Sequence, residues 1–154
     1  MGMELILREW MGKEKDYSIS YSTYMNLVLY TEGHGYYMKE REKTGRQGDF
    51  FTSSNVSSVF AKTFAKLFIR LVENGEVASN ICEVGGGTGK FAYDVLQEWK
   101  QLSPNTFINL NYSMIEVSPF HRKLQQEHLG SFSNVSYYTS YSEMGDSFEG
   151  ILFS

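Results

Sequence analysis

The residues best suited to chemistry are a carboxylate, a run of glycines and a second carboxylate further along the chain. Asn80-Ile81-Cys82-Glu83-Val84-Gly85-Gly86-Gly87-Thr88-Gly89 reads as a buried strand ending in Glu83, then a turn with glycine at every second position. Ile81 and Val84 suit a central strand, and Lys90 to Trp99 resumes in helical rhythm. A strand running through glycines into a helix lets a ligand lie against bare backbone and face the positive end of that helix. Downstream, Tyr112-Ser113-Met114-Ile115-Glu116-Val117 reads as the next buried strand, with Glu116 at its tip. Ser118 and Pro119 then open a helix as N-cap and first helical residue, and Gly130 closes it. A carboxylate at the tip of the second strand can accept hydrogen bonds from both hydroxyls of a ribose. Such charge-assisted bonds are worth about 1.5–3 kcal/mol each when water is excluded.

Three nucleotide-binding patterns compete for the glycine loop. A phosphate-binding P-loop needs a glycine five residues before the glycine of a Gly-Lys pair, then Ser or Thr. Gly89-Lys90 is present, but Val84 stands where that glycine belongs and Phe91 replaces the hydroxyl. The dinucleotide pattern, started at Gly87 and Gly89, requires glycine where Ala92 stands, which some dinucleotide sites tolerate as alanine, so that reading stays open. The pattern acid-x-Gly-x-Gly-x-Gly is met without a gap by Glu83, Gly85, Gly87 and Gly89. It resembles motif I of the Rossmann-like methyltransferases that use S-adenosylmethionine.

Composition bounds the rest. A chain of 154 residues can bury one sizeable core, roughly 68–70% of its unfolded surface. Net charge is −4, and the cations Lys39, Arg41, Lys43 and Arg46 are interrupted by Glu40 and Glu42, so no nucleic-acid surface is expected. The single cysteine, Cys82, sits in the first core strand, which leaves no disulfide or cysteine metal site and suits a small buried hydrophobe. Glu4, Arg8 and Glu9 interrupt the apolar N-terminus, unlike a secretory signal, and no segment approaches membrane-span length. The cytoplasm is the expected compartment.

The elements before the loop form an N-terminal helical extension. Ser20 to Tyr30 reads as a helix, stopping at Gly33-His34-Gly35 and followed by Tyr36-Tyr37. A polar loop leads to Gly48-Asp49-Phe50-Phe51-Thr52-Ser53. A long helix follows from about Asn55 to Val72, with Ser54 as its cap. Val56, Val59, Phe60, Phe64, Leu67, Phe68, Leu71 and Val72 mark its expected core face. His34, His121 and His128 show no acid partner or metal spacing and read as surface residues.

Leu29-Tyr30, Gly35-Tyr36-Tyr37, Gly48-Asp49-Phe50-Phe51-Thr52-Ser53 and the glycine loop together resemble the MidA-like methyltransferases. That family includes the mitochondrial complex I assembly methyltransferase. Glu116-Val117-Ser118-Pro119 continues the resemblance, which runs from about Tyr17 to the last residue. It implies an α/β, Rossmann-like class I methyltransferase fold, S-adenosylmethionine as donor and a protein substrate. For mitochondrial members the implied reaction is symmetric dimethylation of an arginine. Backbone at Gly85, Gly87 and Gly89 then approaches the methionine end of the cofactor, and Glu116 holds the ribose. Glu83 shapes the turn or meets the amino group through water. Ser118 assists at the ribose or simply caps its helix. Gly48, Asp49, Thr52 and Ser53 form a lid or a structural turn, and Ser140-Tyr141-Ser142-Glu143 lies where such folds contact adenine. No residue is assigned as catalytic. Asp49 is the one candidate for orienting a guanidinium bidentately.

The chain also departs from that family. Ser54-Asn55 and Phe60-Ala61 stand where Pro-Glu and Phe-Gly are common. The apolar stretch Gly150-Ile151-Leu152-Phe153-Ser154 reads as a fourth strand, which the family follows with an Asn-Glu pair and a second half. The expected organisation is therefore a fragment truncated after about the fourth strand. Residues 1–75 form the helical segment and residues 76–154 the first half of the cofactor domain. An open edge strand predicts self-association. A non-catalytic assembly module and a nicotinamide-dependent oxidoreductase are the alternatives.

Overall fold

The computed structural model describes residues 2–40, 57–145 and 147–154, which divide into two compact units, Met1–Arg41 and Glu42–Ser154. In the first unit, α1 (Met3–Met11) buries Ile6 and pairs Glu4 with Arg8 on its exposed side. Helix α2 (Tyr21–Tyr30) starts at Ser20, whose hydroxyl accepts the Thr23 amide at 3.0 Å. Just beyond α2, a Cβ on Gly35 would stand 2.6 Å from the Leu29 carbonyl oxygen, so only glycine fits. A short 3-10 turn, Tyr36–Met38, follows. Tyr37 stacks on Tyr30 with centroids 5.6 Å apart, and Tyr36 meets Tyr37 edge-on at 5.0 Å. The Gly35-Tyr36-Tyr37 block thus closes the end of α2 by packing.

The second unit runs α3 (Ser58–Glu73), β1 (Asn80–Val84), α4 (Lys90–Leu102), α5 (Pro104–Phe107), β2 (Asn111–Ile115), α6 (Pro119–Leu129), β3 (Val135–Tyr138) and β4 (Ile151–Phe153). The strands form one parallel sheet in the order β3-β2-β1-β4. Parallel neighbours need crossovers, and α4 and α6 supply them. The chain steps outward from β1 to β3 and then returns to the other side of β1, so the strand order reverses there. Ligands of open parallel sheets bind outside the carboxyl ends of the strands at such a reversal. This is the expected Rossmann-like α/β arrangement.

One sheet face carries the core. Ile81, Tyr112 and Ile151 align across three strands and pack with Phe68 of α3, Trp99 of α4 and Leu129 of α6. On the opposite face, Cys82 is fully buried with its Sγ 3.7 Å from Met144 Sδ, the small hydrophobe its position suggested. Strand β4 forms one sheet edge and leaves Leu152 exposed.

Helix α3 corrects two expectations. Its cap is Ser57, which accepts the Val59 amide at 3.1 Å; Ser54 and Val56 lie outside the described residues. Its core face is rotated from the expected stripe. Ala61, Ala65, Phe68 and Ile69 are buried, while Val59 and Leu67 are 66% and 48% exposed. The cause is α4: two alanines with no exposed surface let the helices approach, while Lys62 and Lys66 reach Glu98 of α4 at 3.4 and 3.9 Å. Phe60 and Phe64 border this seam against Phe91, at 5.8 and 6.1 Å. The compact unit containing the sheet takes in α3.

The rotated face makes a direct prediction. Ala65→Leu overpacks the α3–α4 seam and costs about 1–3 kcal/mol, whereas Leu67→Ser stays within about 0.5 kcal/mol of wild type. Urea unfolding of both variants checks the ranking, and the reverse order would restore the stripe read from spacing.

Candidate functional site

Strand β1 delivers Glu83 to the carboxyl edge of the sheet, and the chain then turns at Gly85, Gly87 and Gly89 with φ of 72°, 54° and 81°. These are left-handed conformations, which penalise a residue bearing Cβ by about 1–2 kcal/mol each. Gly86 is required for a different reason. A Cβ there would stand 2.5 Å from Met114 Cε and 2.9 Å from Glu83 Cδ, so the loop rests directly on the ends of β1 and β2. At Gly85 an added Cβ meets nothing within 4 Å, and the loop is open on that side.

Hydrogen bonds fix the loop from several directions. The Gly85 amide donates to the Ile115 carbonyl at 2.9 Å, and the Gly89 amide returns to the Gly86 carbonyl at 2.9 Å. The Gly87 backbone lies near enough to the Glu116 carboxylate to lower its pKa. From α6, Gln125 Nε2 donates to the Gly87 carbonyl at 2.9 Å, and His128 Nδ1 lies 2.7 Å from the Thr88 carbonyl. Lys90 is occupied by Asp94 at 2.7 Å.

Glu83 lies beneath this loop, nearly inaccessible, and its Oε2 accepts the Tyr112 hydroxyl at 2.8 Å. Burial pushes its carboxyl up to about 7; the Tyr112 bond opposes the rise and the nearby Glu116 charge adds to it. Tyr112 escaped the sequence reading. In register, Glu83 pairs with Met114, so Tyr112 is its diagonal neighbour on the same face, a relation visible only once the strands are aligned.

Glu116 follows the tip of β2, close to Gly87, so the two expected halves of the site come together. It is 7% exposed, and its Oε1 accepts the Ser118 amide at 2.9 Å. Burial raises its pKa, against the Ser118 amide, the Arg122 charge and the amides of Val117 and Gly87. Arg122 Nη1 also donates to the Glu116 carbonyl at 2.6 Å and the Val117 carbonyl at 3.1 Å, bracing the backbone there. Ser118 is fully buried and its hydroxyl accepts the His121 amide at 3.4 Å, the geometry of a cap.

The histidine reading needs correction. His121 is buried at 4% exposure because α6 turns that side inward, and His128, though exposed, bonds the loop. Gly48, Asp49, Thr52 and Ser53 lie outside the described residues. The Ser140–Glu143 segment enters a 3-10 turn, Tyr141–Met144, where Glu143 accepts the Thr139 amide at 2.8 Å and the Thr139 hydroxyl. Among the described residues no group of three or more His, Cys, Asp or Glu side chains is arranged to hold a metal ion. Among them, too, no helix is long and apolar enough to cross a membrane.

The Glu83 carboxyl gives a signed pH prediction. Its folded value of about 7 exceeds the ordinary 4.5, so the folded state keeps the proton longer. The associated stability is fully present below pH 4.5 and is lost as pH rises through 7, a fall of about 3 kcal/mol. Urea midpoints between pH 5 and 8 should therefore fall more steeply for wild type than for Glu83→Gln. Parallel pH profiles would contradict the buried, proton-holding carboxyl.

Comparison with known proteins agrees with this geometry. Residues 59–154 match a family model described as "Putative S-adenosyl-L-methionine-dependent methyltransferase". The mitochondrial "Protein arginine methyltransferase NDUFAF7 homolog" of Drosophila melanogaster is 33% identical over 114 residues, covering 71% of this chain and 25% of that protein. The human mitochondrial protein arginine methyltransferase NDUFAF7 is 32% identical over 117 residues, covering 73% and 26%. A Burkholderia thailandensis crystal structure, titled a "likely methyl transferase" bound to S-adenosyl-homocysteine, superposes with a TM-score of 0.77 at 27% identity. It is covered over 40% of its length by 97% of this chain. The chain thus spans about a quarter of the length of the curated relatives it matches. These relatives correct the cytoplasmic expectation, since they are named as mitochondrial proteins. They do not favour the nicotinamide alternative. The MidA-like resemblance is borne out, and the chain belongs to the family of S-adenosyl-L-methionine-dependent methyltransferases.

Proposed function

We propose that this chain carries the cofactor-binding part of an S-adenosylmethionine-dependent methyltransferase that acts on a protein, at an arginine side chain. The observation that supports this reading best is the junction of Gly87 and Glu116, which joins the glycine loop to a buried carboxylate at adjacent strand ends. The arginine acceptor is suggested by the names of the curated relatives.

The site has features that fit this cofactor. The open side of Gly85 admits a ligand against bare backbone, and a carboxylate has about four acceptor positions, which leaves room at Glu116 for ribose hydroxyls beside its amide partners. S-adenosylmethionine supplies a methyl group on a positively charged sulfonium, open to in-line attack by a nitrogen. The backbone of Gly85, Gly87 and Gly89 approaches the methionine end, and Glu116 accepts the ribose hydroxyls. Glu83 holds the turn from below, and Ser118 fixes the helix behind Glu116. The Ser140–Glu143 segment lies toward adenine. Asp49, outside the described residues, is the residue to test for orienting a guanidinium. The chain's contribution to rate is orientation of donor and acceptor.

Calorimetric titration with S-adenosylhomocysteine, with NAD as control, tests the reading. Saturable micromolar binding of the first alone is expected, and Glu116→Ala should weaken it roughly tenfold or more. Unchanged affinity in a folded Glu116→Ala variant removes the ribose assignment. No binding by folded wild type removes the cofactor reading itself.

A further inference from the structure

We propose that Gln125 and His128 are positioning residues of the glycine loop: from one face of α6 they hold the Gly87 and Thr88 carbonyls and turn the Thr88 amide toward the ligand. The identity of that ligand rests on the function proposed above. The two residues are three apart on α6 and so share a face. Gln125 is fully buried, its Nε2 lies 2.9 Å from the Gly87 oxygen, and a Cβ on Gly89 would come within 3.2 Å of its Cγ. His128 Nδ1, 2.7 Å from the Thr88 oxygen, must carry its proton, because a carbonyl only accepts.

Peptide geometry supplies the consequence. In a trans peptide the carbonyl and the following amide point in opposite directions. Holding the Gly87 carbonyl on α6 therefore turns the Thr88 amide away from α6. Holding the Thr88 carbonyl likewise turns the Gly89 amide away from α6, into its 2.9 Å bond with Gly86. Helix α6 is itself anchored beside Glu116 through the Ser118 cap. One helix thus sets the glycine loop and the ribose carboxylate in a single register.

A second observation separates this role from ordinary packing. Gln125 Oε1 is buried with no protein partner among the described residues. An unpaired buried acceptor destabilises a fold, so stability alone favours an apolar residue of similar shape at this position. Glutamine suits the position for what its Nε2 does to the loop.

Three variants of the 154-residue chain, Gln125→Met, His128→Ala and His128→Asn, test the proposal with three readouts. These are S-adenosylhomocysteine affinity, thermal midpoint and hydrogen exchange of the loop peptide in the free protein. Gln125→Met should keep or raise the thermal midpoint while loop exchange quickens and affinity falls about fivefold. His128→Ala should lose affinity similarly, and His128→Asn, whose amide can donate from nearly the same point, should restore it to within about twofold. Loop exchange unchanged in both Gln125→Met and His128→Ala would overturn the proposal whatever the ligand. So would affinity within twofold of wild type, or a lower midpoint for Gln125→Met with no rescue at residue 128. If wild type fails to bind while loop exchange still quickens in the variants, the cofactor reading falls and the loop clamp stands.

Discussion

A carboxyl group buried beneath a glycine turn governs the local structure. Glu83 accepts the Tyr112 hydroxyl under Gly86, and there is no space for a side chain between them. Because the turn can settle onto Glu83 and Met114, the Gly85 amide reaches Ile115 and the Gly87 backbone lies near Glu116. A bulkier residue at Gly86 would lift the loop, and the link between β1 and β2 at their carboxyl ends would be lost. The two carboxyls are close enough for the charge of one to raise the pKa of the other. Their environments differ nonetheless. At Glu83 burial favours the neutral acid in spite of the Tyr112 hydroxyl bond, whereas Glu116 has backbone amides and the Arg122 charge, which favour the anion.

The remaining elements hold that junction rigid. The sheet order puts β1 where the chain reverses direction, so the loop opens at the cleft that such folds offer to ligands. The α3–α4 seam fixes the start of α4 through Phe91, which meets Phe60 and Phe64 on one side and Phe153 of β4 on another. Helix α6 supports the loop from the opposite side and carries the cap behind Glu116. At the far end of α4, Trp99 donates to Thr106, whose hydroxyl also meets Ser103, and Ser103 in turn donates to Glu73 of α3. A run of polar bonds therefore joins α3, α4 and α5.

What could be read from the sequence follows the range of the interactions involved. The strand-loop-helix, its glycine turn and the cap at Ser118 depend on local pattern, and all were legible. The Glu83–Tyr112 bond was not, because it depends on strand register. The rotation of α3 was missed because large apolar side chains dominate a periodicity count, whereas Ala61 and Ala65 set the approach. His121 looked superficial on a polar helix, but the sheet and loop bury that side of α6. The cytoplasmic expectation failed because composition carries no address, and the curated relatives are named as mitochondrial proteins.

An NMR titration of the isotopically labelled chain with S-adenosylhomocysteine would locate the ligand residue by residue. The proposed site predicts that the largest shifts fall on the amides of Gly85, Gly87, Thr88 and Glu116, while those around Lys100, Ser133 and Asn134 at the other end of the strands stay still. Shifts centred on that other end, with the loop amides unmoved, would contradict a cofactor site at the Gly87–Glu116 junction.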